Sequence, residues 1–456
     1  MGSKSKANGA GEGLSLMQLV WIAVGQVIGA GVVTIIGSAL AASGRSAWIA
    51  YAVAVVLGFT KVAPIMFYSS IMKIHGGNYG IVTRALGDRM GGLLTIASLA
   101  QWTVRGTAVL SLGVYVNSIF PQIDSRIAAA VIWTILCVVN LFGVNAMAKI
   151  QSFATPLLLF ALMLFAVVGA TQIPEGTLSF SNPDFLTNGG AGFASAIVLL
   201  VYSCSGHNMV VNYSEEAKNP TRDIPKAMLI STLVILVIYT AVGFAASNVL
   251  PLEEIAGQPL TGTAKAIFPN AVFIFFIIGG PIMALLTTCN SGISANAKPV
   301  AVATQEGWLP SIFGKKNKYG VPWFDYVCIW LIAMFPLALN MSIAQITNFV
   351  LVIQSLQNLM IVAAAFVMPK KFEKEWKASW MHVPNGVFYA LMTVSALFEL
   401  FIVYDSLKNL TPMLVVINLI TLALAIGFGI YKIRTGKIVR IEDQEKAAAQ
   451  TAKTAQ

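Results

Sequence analysis

The chain has 456 residues, of which 57% are apolar and only 11% are charged. An ordinary soluble domain contains about 45–50% apolar and about 25% charged residues, so this composition excludes a water-soluble protein. The 29 lysines and arginines outnumber the 19 acidic residues. These charges lie between apolar segments, which argues against a nucleic-acid-binding protein.

Twelve apolar segments follow one another along the chain, and each reaches the roughly 20 residues that a membrane-spanning helix needs. They lie at 17–43, 47–73, 92–120, 127–145, 150–172, 190–213, 226–250, 268–300, 323–341, 344–368, 385–405 and 411–432. The sequence therefore predicts an all-α membrane protein with twelve transmembrane helices, in one transmembrane domain over 14–432. Residues 1–13 are predicted to be a disordered tail and 433–456 a cytoplasmic tail that is disordered from 440 onward.

The basic residues indicate how this domain is oriented, because cytoplasmic loops retain lysine and arginine. The stretch 370–377 contains four lysines, whereas the loops 173–189 and 251–262 contain no basic residue. An even number of helices with both termini in the cytoplasm fits this distribution. We expect a multi-pass protein of the cell membrane.

Two of the predicted helices carry interruptions at membrane depth. Residues 25–31 (GQVIGAG) contain three glycines, and residues 202–208 (YSCSGHN) are small and polar. A glycine inside a helix costs up to about 1 kcal/mol relative to alanine, and irregular backbone at this depth must be buried in protein or line a cavity. Helix packing through small residues is the alternative explanation.

The positions of the two interruptions favour a transport site. If helices 1–5 (about 17–172) and helices 6–10 (about 190–368) form two five-helix repeats, with helices 11 and 12 (about 385–432) appended, then the interruptions fall on corresponding helices. This arrangement is typical of the midplane site of a secondary transporter. Helix N-termini bind a carboxylate and freed carbonyls bind an ammonium group, so an amino acid suits both ends of such a site.

The interrupted segments and two further motifs resemble the amino acid, polyamine and organocation (APC) superfamily. Residues 25–33 are similar to its G-x-x-[IM]-G-[SA]-G-[IV]-[FV] signature, and residues 215–225 (EEAKNPTRDIP) are close to its E-E-x-x-N-P motif. Residues 205–216 and 305–310 (QEGWLP) are similar to the L-type amino acid transporter branch. The resemblance implies a LeuT/APC-like fold, a five-plus-five inverted repeat with helices 1 and 6 unwound.

The resemblance also implies which residues bind substrate. Tyr202 takes the place of the family's aromatic lid, and Tyr239 and Asn290 are expected to stabilise the unwound segments. The implied substrate-binding residues are Ile28, Gly29, Ala30, Gly31, Tyr202, Ser203, Cys204, Ser205, Gly206, Tyr239 and Asn290.

Other positions are candidates for coupling or gating. Many relatives carry a lysine in helix 5 that replaces a sodium ion, but the aligned residue here is Leu158. Hydroxyl groups on helix 8 either coordinate a small cation or pack helices together, and His207 is either a proton-coupling group or a neutral hydrogen-bonded ring. Lys61 either faces the substrate, which would favour acidic amino acids, or is structural, for example paired with Glu399. The candidates are Lys61, Arg105, His207, Thr287, Thr288 and Ser291.

These observations predict a secondary transporter for neutral L-amino acids that works by exchange. The alternatives are a proton- or sodium-coupled symporter for the same substrates and a transporter of acidic or cationic amino acids or polyamines. A channel and an enzyme are disfavoured, because the polar interruptions are localised and no P-loop, nucleophile motif or metal-spaced cluster of histidines is present. We expect no cofactor.

The expected partners are an amino acid substrate and the lipid bilayer. Nucleic acid is not expected, and the chain is predicted to be a monomer or a weak dimer. Animal members of the L-type branch join a glycoprotein through an external cysteine between helices 3 and 4. Residues 120–126 (FPQIDSR) contain no cysteine, so no obligatory glycoprotein subunit is predicted.

Overall fold

The computed structural model describes residues 13–29, 31–338, 343–408, 410–436, 438–441 and 443–444. Regular structure in these ranges is helical, apart from two isolated bridges, Leu14 with Ala217 and Lys316 with Pro322. The first half of the chain contains α1 (Leu16–Val27), α2 (Ile36–Ser43), α3 (Ala47–Ile71), α4 (Asn78–Leu86), α5 (Arg89–Ala100), α6 (Arg105–Ile119), α7 (Ser125–Asn140), α8 (Val144–Ala170) and α9 (Gly189–Ser203). The second half contains α10 (Pro220–Asn248), α11 (Leu252–Ile255), α12 (Leu260–Ile267), α13 (Asn270–Ile277), α14 (Met283–Gln305), α15 (Trp323–Ala338), α16 (Ile343–Lys371), α17 (Glu373–Ala378), α18 (Asn385–Lys408) and α19 (Pro412–Thr435).

Seven helical stretches in the described ranges are long and apolar enough to cross a membrane. Four shorter helices, α1, α7, α9 and α15, are also apolar. The prediction of an all-α, multi-pass membrane protein is therefore confirmed.

Several helices differ in detail from the sequence prediction. Helix α10 begins at Pro220 and not at 226, because proline is well accommodated in the first turn of a helix. The third predicted helix contains a 3₁₀ turn at Gln101–Val104, and the eighth contains a π turn at Ile278–Ile282 around a Gly-Gly-Pro sequence. Four short helices, α4, α11, α12 and α17, were not among the predicted segments.

Glycines allow the long helices to pack closely. A Cβ atom at Gly92 of α5 would lie 2.4 Å from the Cα atom of Gly429 in α19. A Cβ atom at Gly243 of α10 would lie 3.2 Å from the Cα atom of Trp48 in α3. The distance at Gly92 leaves no room for a side chain, and the distance at Gly243 is tighter than an ordinary contact, so both glycines allow the helix axes to lie close together.

Helices α18 and α19 lie at the edge of the bundle. Only 22% and 17% of their apolar windows are buried, compared with 61% for the stretch Ile36–Ile71. Their exposed residues are large and apolar, for example Leu397, Leu419 and Leu424. Such a surface is stable in contact with lipid chains and not in water.

One end of the bundle holds several chain segments together, and we call it the Leu14 end. The N–H of Leu14 donates to the carbonyl of Glu216 (2.7 Å), and the N–H of Lys218 donates to the carbonyl of Leu14 (3.1 Å). At the same end His75 Nδ1 lies 3.3 Å from Glu215 Oε1. The chain that enters α1 is thus fixed to the segment that precedes α10.

The C-terminal residues also dock at the Leu14 end. The N–H of Ile441 donates to a carboxylate oxygen of Glu306 (3.3 Å), and Tyr79 hydrogen bonds to the other carboxylate oxygen. Arg440 pairs with Asp88. Residues 440, 441, 443 and 444 are therefore held against the bundle, unlike the disordered tail that the sequence suggested, whereas the predicted N-terminal tail up to residue 12 lies outside the described residues.

Candidate substrate site at two broken helices

The first predicted helix is broken where its glycine motif lies. Helix α1 ends at Val27, and the N–H of Ile28 makes a last helical hydrogen bond to the carbonyl of Val24 (3.0 Å). Ile28 then leaves the helical conformation with a ψ of 89°. The helix resumes as a π turn over Gly31–Ile35 that continues into α2, and Ala30 lies outside the described residues.

The sixth predicted helix is broken in the same way. Helix α9 ends at Ser203, and the chain resumes as a 3₁₀ helix over His207–Tyr213. Between them Gly206 has a φ of +142°, a conformation that residues with a side chain rarely adopt. The backbone of Tyr202 lies in the last turn of α9, but its side chain is outside the described part of the structure, so its role as a lid stays a prediction.

The two breaks lie against each other. A Cβ atom at Gly206 would be 2.9 Å from the carbonyl oxygen of Gln26, and a Cβ atom at Gly31 would be 2.3 Å from the Cβ atom of Ser203. Each broken helix therefore contacts the other at a glycine. The glycines allow two backbones to approach closely and free their polar groups at this point.

Tyr239 of α10 joins the ends of both broken helices. Its hydroxyl donates to the carbonyl of Val27 (3.3 Å) and to the carbonyl of Ser203 (3.2 Å). The ring is fully buried and lies 5.1 Å from the ring of Tyr51, centroid to centroid. This position agrees with the predicted role of Tyr239, because each carbonyl belongs to the last turn of a helix and lacks an intrahelical partner.

Hydroxyl groups of α14 hold the first broken helix from the other side. The hydroxyls of Thr287 and Thr288 lie 3.3 Å and 2.9 Å from the carbonyl oxygen of Gly25, and both also reach the carbonyl of Ala284. The hydroxyl of Ser291 donates to the carbonyl of Thr287 (2.6 Å). All three protons are directed to backbone carbonyls, which favours the packing interpretation over a cation site.

Polar residues of α8 complete this support, and the sequence analysis missed them. Gln151 Nε2 and Thr155 Oγ1 both lie within reach of the carbonyl oxygen of Trp21, at 3.4 Å and 3.0 Å. A Cβ atom at Gly25 would be 2.0 Å from Gln151 Nε2. The signal was available in the sequence, since two polar residues four positions apart lie on one face of an apolar helix.

Asn290 does not contact either break through the hydrogen bonds of its side chain. Its Nδ2 atom donates to the carbonyl of Met147 (3.1 Å) and to Gln151 Oε1 (3.2 Å), and its Oδ1 atom accepts from Asn140 (2.9 Å). These bonds link α14 to α7 and α8. Asn290 therefore reaches the first broken helix only through Gln151.

Two charged candidates have protein partners. Lys61 Nζ lies 3.8 Å from Glu399 Oε1, which corresponds to the structural alternative for this lysine. Arg105 Nη1 donates to the carbonyl of Thr288 (3.2 Å), and its guanidinium lies against Gly292. Leu158, at the position of the expected lysine, is fully buried in α8.

His207 lies directly after the second break. Its Nε2 atom is 2.9 Å from Thr232 Oγ1 of α10. Its Nδ1 atom is buried and has no hydrogen-bond partner among the described residues, and the same holds for Gln26 Nε2 beside the contact with Gly206. Buried polar nitrogens usually have hydrogen-bond partners, so these two are exceptions that lie beside the breaks.

Two serines and a cysteine of the second break lie near the end of α9. The hydroxyl of Ser203 donates to the carbonyl of Leu200 (2.9 Å), and that of Ser205 lies 3.5 Å from the carbonyl of Val201. Cys204 is buried, and its Cβ atom would lie 3.3 Å from a Cβ atom at Gly58.

The structure therefore brings together most of the predicted site. The residues at or against the two breaks are Ile28, Gly29, Gly31, Ser203, Cys204, Ser205, Gly206, His207, Tyr239 and Thr288. Lys61 is separate from this group. The side chains of Gln26, Ser203, Tyr239 and Thr288 that meet here are uncharged and suited to hydrogen bonding with a ligand, and the guanidinium of Arg105 lies at the carbonyl of Thr288.

Known proteins are similar to this chain over most of its length. A family model described as amino acid permease matches residues 14–426. An uncharacterized protein of Methanocaldococcus jannaschii is 26% identical over 363 residues, which cover 75% of this chain and 80% of that protein. A probable threonine/serine transporter of Bacillus subtilis is 24% identical over 70% of this chain and 71% of its own length, and a serine/threonine exchanger of the same organism is 24% identical over 75% and 78%. The chain belongs to the amino acid permease family within the APC superfamily, whose members are membrane transporters and not enzymes.

Proposed function

We propose that this permease exchanges neutral L-amino acids across the membrane by alternating access, with its substrate site where α1 and α9 are broken. The observation that carries the proposal is the hydroxyl of Tyr239, which hydrogen bonds to the last turns of both broken helices. A substrate bound between these ends would contact both repeats of the fold at once. Its binding could therefore be coupled to their relative movement.

The arrangement of helices supports a fold of twelve spans in two inverted repeats. We assign repeat 1 to α1–α8 and repeat 2 to α9–α16, with α18 and α19 appended. The first helix of each repeat is broken, and the third helix of each contains an irregular turn, at 101–104 and at 278–282. Short helices, α4 in one repeat and α11 with α12 in the other, connect the second helix to the third.

The ligand chemistry follows from the unwound backbone. The substrate carboxylate would accept hydrogen bonds from main-chain N–H groups near Gly29–Gly31, at the start of a helix. The ammonium group would donate to carbonyl oxygens at the ends of α1 and α9. Tyr202 would close over the substrate, and Tyr239 would keep both ends in place.

The pairing of Lys61 and the names of two relatives favour a neutral substrate side chain. Lys61, the candidate for recognising an acidic side chain, is paired with Glu399, whose side chain is fully buried. Two of the relatives have names that give a substrate, a probable threonine/serine transporter and a serine/threonine exchanger. Serine, threonine and other small neutral amino acids are therefore the first substrates to test.

The orientation and the assembly of the protein complete the proposal. The distribution of basic residues supports a cytoplasmic location of both termini, and with them of the Leu14 end, for a protein of the plasma membrane. The loop at 120–126 offers no cysteine for a glycoprotein partner. The working unit is a monomer or a weak dimer.

Uptake into proteoliposomes tests the transport mode. Vesicles that contain purified protein are loaded with unlabelled L-serine or with buffer alone, and the entry of labelled L-serine is measured with sodium or choline outside, at pH 6.0 and pH 7.5. Exchange predicts entry only into the loaded vesicles, with the same rate in all four external conditions. Entry into the buffer-loaded vesicles that depends on sodium or on a pH gradient would support a symporter, and linear entry that does not saturate would exclude a carrier.

A further inference from the structure

The E-E-x-x-N-P motif region leads to a surface that the transport site does not use. After the glutamates, the chain passes Lys218 and enters α10 at Pro220. A cleft of about 500 Å³ lies here, lined by Lys218, Asn219, Pro220, Thr221, Arg222, Asp223 and Lys226. Three cations face one carboxylate, and the carboxylate of Asp223 accepts a hydrogen bond from the N–H of Asn219 (3.1 Å). The cleft is therefore basic.

The length of α10 sets the depth of this cleft relative to the membrane. A helix of 29 residues is about 44 Å long, whereas the hydrocarbon core is about 30 Å thick. Roughly nine residues must therefore extend beyond the core. The first two turns of α10 are the polar ones, which places Arg222 and Lys226 at the level of the lipid headgroups.

A tryptophan next to the cleft also indicates that this part of α10 lies at the level of the lipid headgroups. Trp380 is 44% exposed, and its Nε1 atom donates to the carbonyl of Thr221 (3.0 Å). Lys226 Nζ lies 5.8 Å from the centre of the Trp380 ring. Tryptophan is enriched at the boundary between lipid chains and water, where its ring is apolar and its N–H can bond to polar groups.

An apolar track leads from the cleft towards the membrane centre. Ile230, Leu233 and Val237 follow Lys226 at spacings of four, three and four residues, so they lie on one face of α10. They are 37%, 62% and 60% exposed. A free phosphate ion would use only the basic cleft, whereas a lipid would use the cleft for its headgroup and this face for an acyl chain.

From this juxtaposition we infer that the start of α10 is a binding site for an anionic phospholipid. The phosphate is held by Lys218, Arg222 and Lys226, and one acyl chain lies along Ile230, Leu233 and Val237. Basic pockets beside transmembrane helices recognise such headgroups by charge. The location on the cytoplasmic leaflet rests on the proposed orientation, but the binding itself does not depend on the transport mode.

Native mass spectrometry of the purified protein tests this site. The full chain in an uncharged detergent is mixed with dioleoyl phosphatidylglycerol, with dioleoyl phosphatidylcholine or with inorganic phosphate. We expect retention of phosphatidylglycerol in preference to phosphatidylcholine and none of phosphate. The double variant Arg222→Gln, Lys226→Gln should lose affinity for phosphatidylglycerol by about fivefold for each cation removed.

Two further variants control the experiment. Lys315→Gln removes an exposed charge that does not line the cleft and should leave lipid retention unchanged. Lys226→Arg keeps the charge and should retain the lipid. If the double variant is unstable, a comparison of Lys226→Arg with Lys226→Gln shows whether the charge at this position binds phosphatidylglycerol. Equal retention of phosphatidylglycerol by Lys226→Gln and wild type, no preference over phosphatidylcholine, or retention of phosphate alone would overturn the proposal.

Discussion

Backbone polar groups inside a membrane must be hydrogen bonded, and two pairs of helices meet this requirement in different ways. One pair is the broken helices α1 and α9, and the other is the peripheral helices α18 and α19. In α1 eight of the twelve residues are buried, whereas in α19 only three of 24 are. The peripheral helices satisfy their backbone internally and present leucine and isoleucine to lipid. The broken helices release backbone groups of their last turns, which are then bonded by side chains of α10 and α14, and Thr155 of α8 bonds to a carbonyl one turn earlier in α1. Of these four helices, the two with interrupted backbone are therefore those that other helices enclose.

The largest expected effect concerns the ion pair between Lys61 of α3 and Glu399 of α18. Lys61 Nζ lies 3.8 Å from the carboxylate of Glu399 in α18. Lys61→Met leaves a buried carboxylate without its cation, which should lower the free energy of unfolding by about 3–5 kcal/mol. Thermal unfolding in detergent measures this loss.

Two variants make this prediction specific. Lys61→Met combined with Glu399→Gln should recover most of the stability, and Lys408→Met, at the exposed end of α18, should not change it. The preference for neutral over acidic amino acids should remain in Lys61→Met if the protein is stable enough to assay. A shift towards acidic or away from neutral substrates would show that Lys61 acts on the substrate.

Alanine substitutions at one glycine of the second break and one glycine of α19 compare the broken and the peripheral helices directly. Gly206→Ala places a side chain at a φ of +142° and 2.9 Å from the carbonyl oxygen of Gln26, which costs about 1–3 kcal/mol. Gly427→Ala in α19 meets no atom within 4 Å. We expect the initial exchange rate in proteoliposomes to fall by about tenfold or more for Gly206→Ala and to be unchanged for Gly427→Ala. Equal rates would mean that the second break is not part of the transport site.

A smaller effect is expected when one hydroxyl is removed. Tyr239→Phe keeps the buried ring but leaves the carbonyls of Val27 and Ser203 without this donor. A hydrogen bond of this kind contributes about 1 kcal/mol, so the half-saturation concentration or the maximal exchange rate should change by roughly fivefold. Tyr404→Phe, at a residue of α18 that is 66% exposed, is the matched control and should behave as wild type.

The smallest effect concerns pH at the Leu14 end. Burial raises the pKa of Glu215, but the hydrogen bond and charge of His75, together with Lys298 and Lys316, outweigh burial and hold this pKa below its usual value. A lowered pKa stabilises the folded state above the usual value, and the stabilisation is lost as pH falls through the folded value. The unfolding temperature of wild type should therefore drop more between pH 6 and about pH 3.5 than that of Glu215→Gln.

Glu375→Gln provides the comparison for this measurement, because Glu375 is exposed on α17. It should follow the wild-type pH dependence. If Glu215→Gln also followed it, the contact between His75 and Glu215 would contribute nothing to stability.

The sequence was sufficient to find the long apolar helices and both breaks, because hydrophobic length and clustered glycines are local signals. It was not sufficient to find the partners of the freed backbone. Gln151 and Thr155 stand out as two polar residues on one face of an apolar helix, but the sequence does not indicate that this face packs against Gly25 of α1. The short helix α4 was missed for another reason, since it is too short to be recognised by its hydrophobic length.

The prediction that Tyr239 stabilises the unwound segments came from family resemblance, not from its pattern in an apolar helix. The structure adds the two carbonyl groups to which its hydroxyl bonds. Asn290 shows the limit of that approach. The resemblance assigned it to the unwound segments, whereas its side chain bonds to α7 and α8.

The bridge at Leu14 has a mechanical consequence. Two main-chain hydrogen bonds fasten the start of α1 to residues 216 and 218, just beyond the 3₁₀ helix that follows the second break. If the first turns of α1 move during transport, there are two alternatives. Either residues 216–218 move together with them, or both hydrogen bonds break first. A pair of spin labels on the two segments would keep a constant spacing throughout the transport cycle in the first case and would separate in the second.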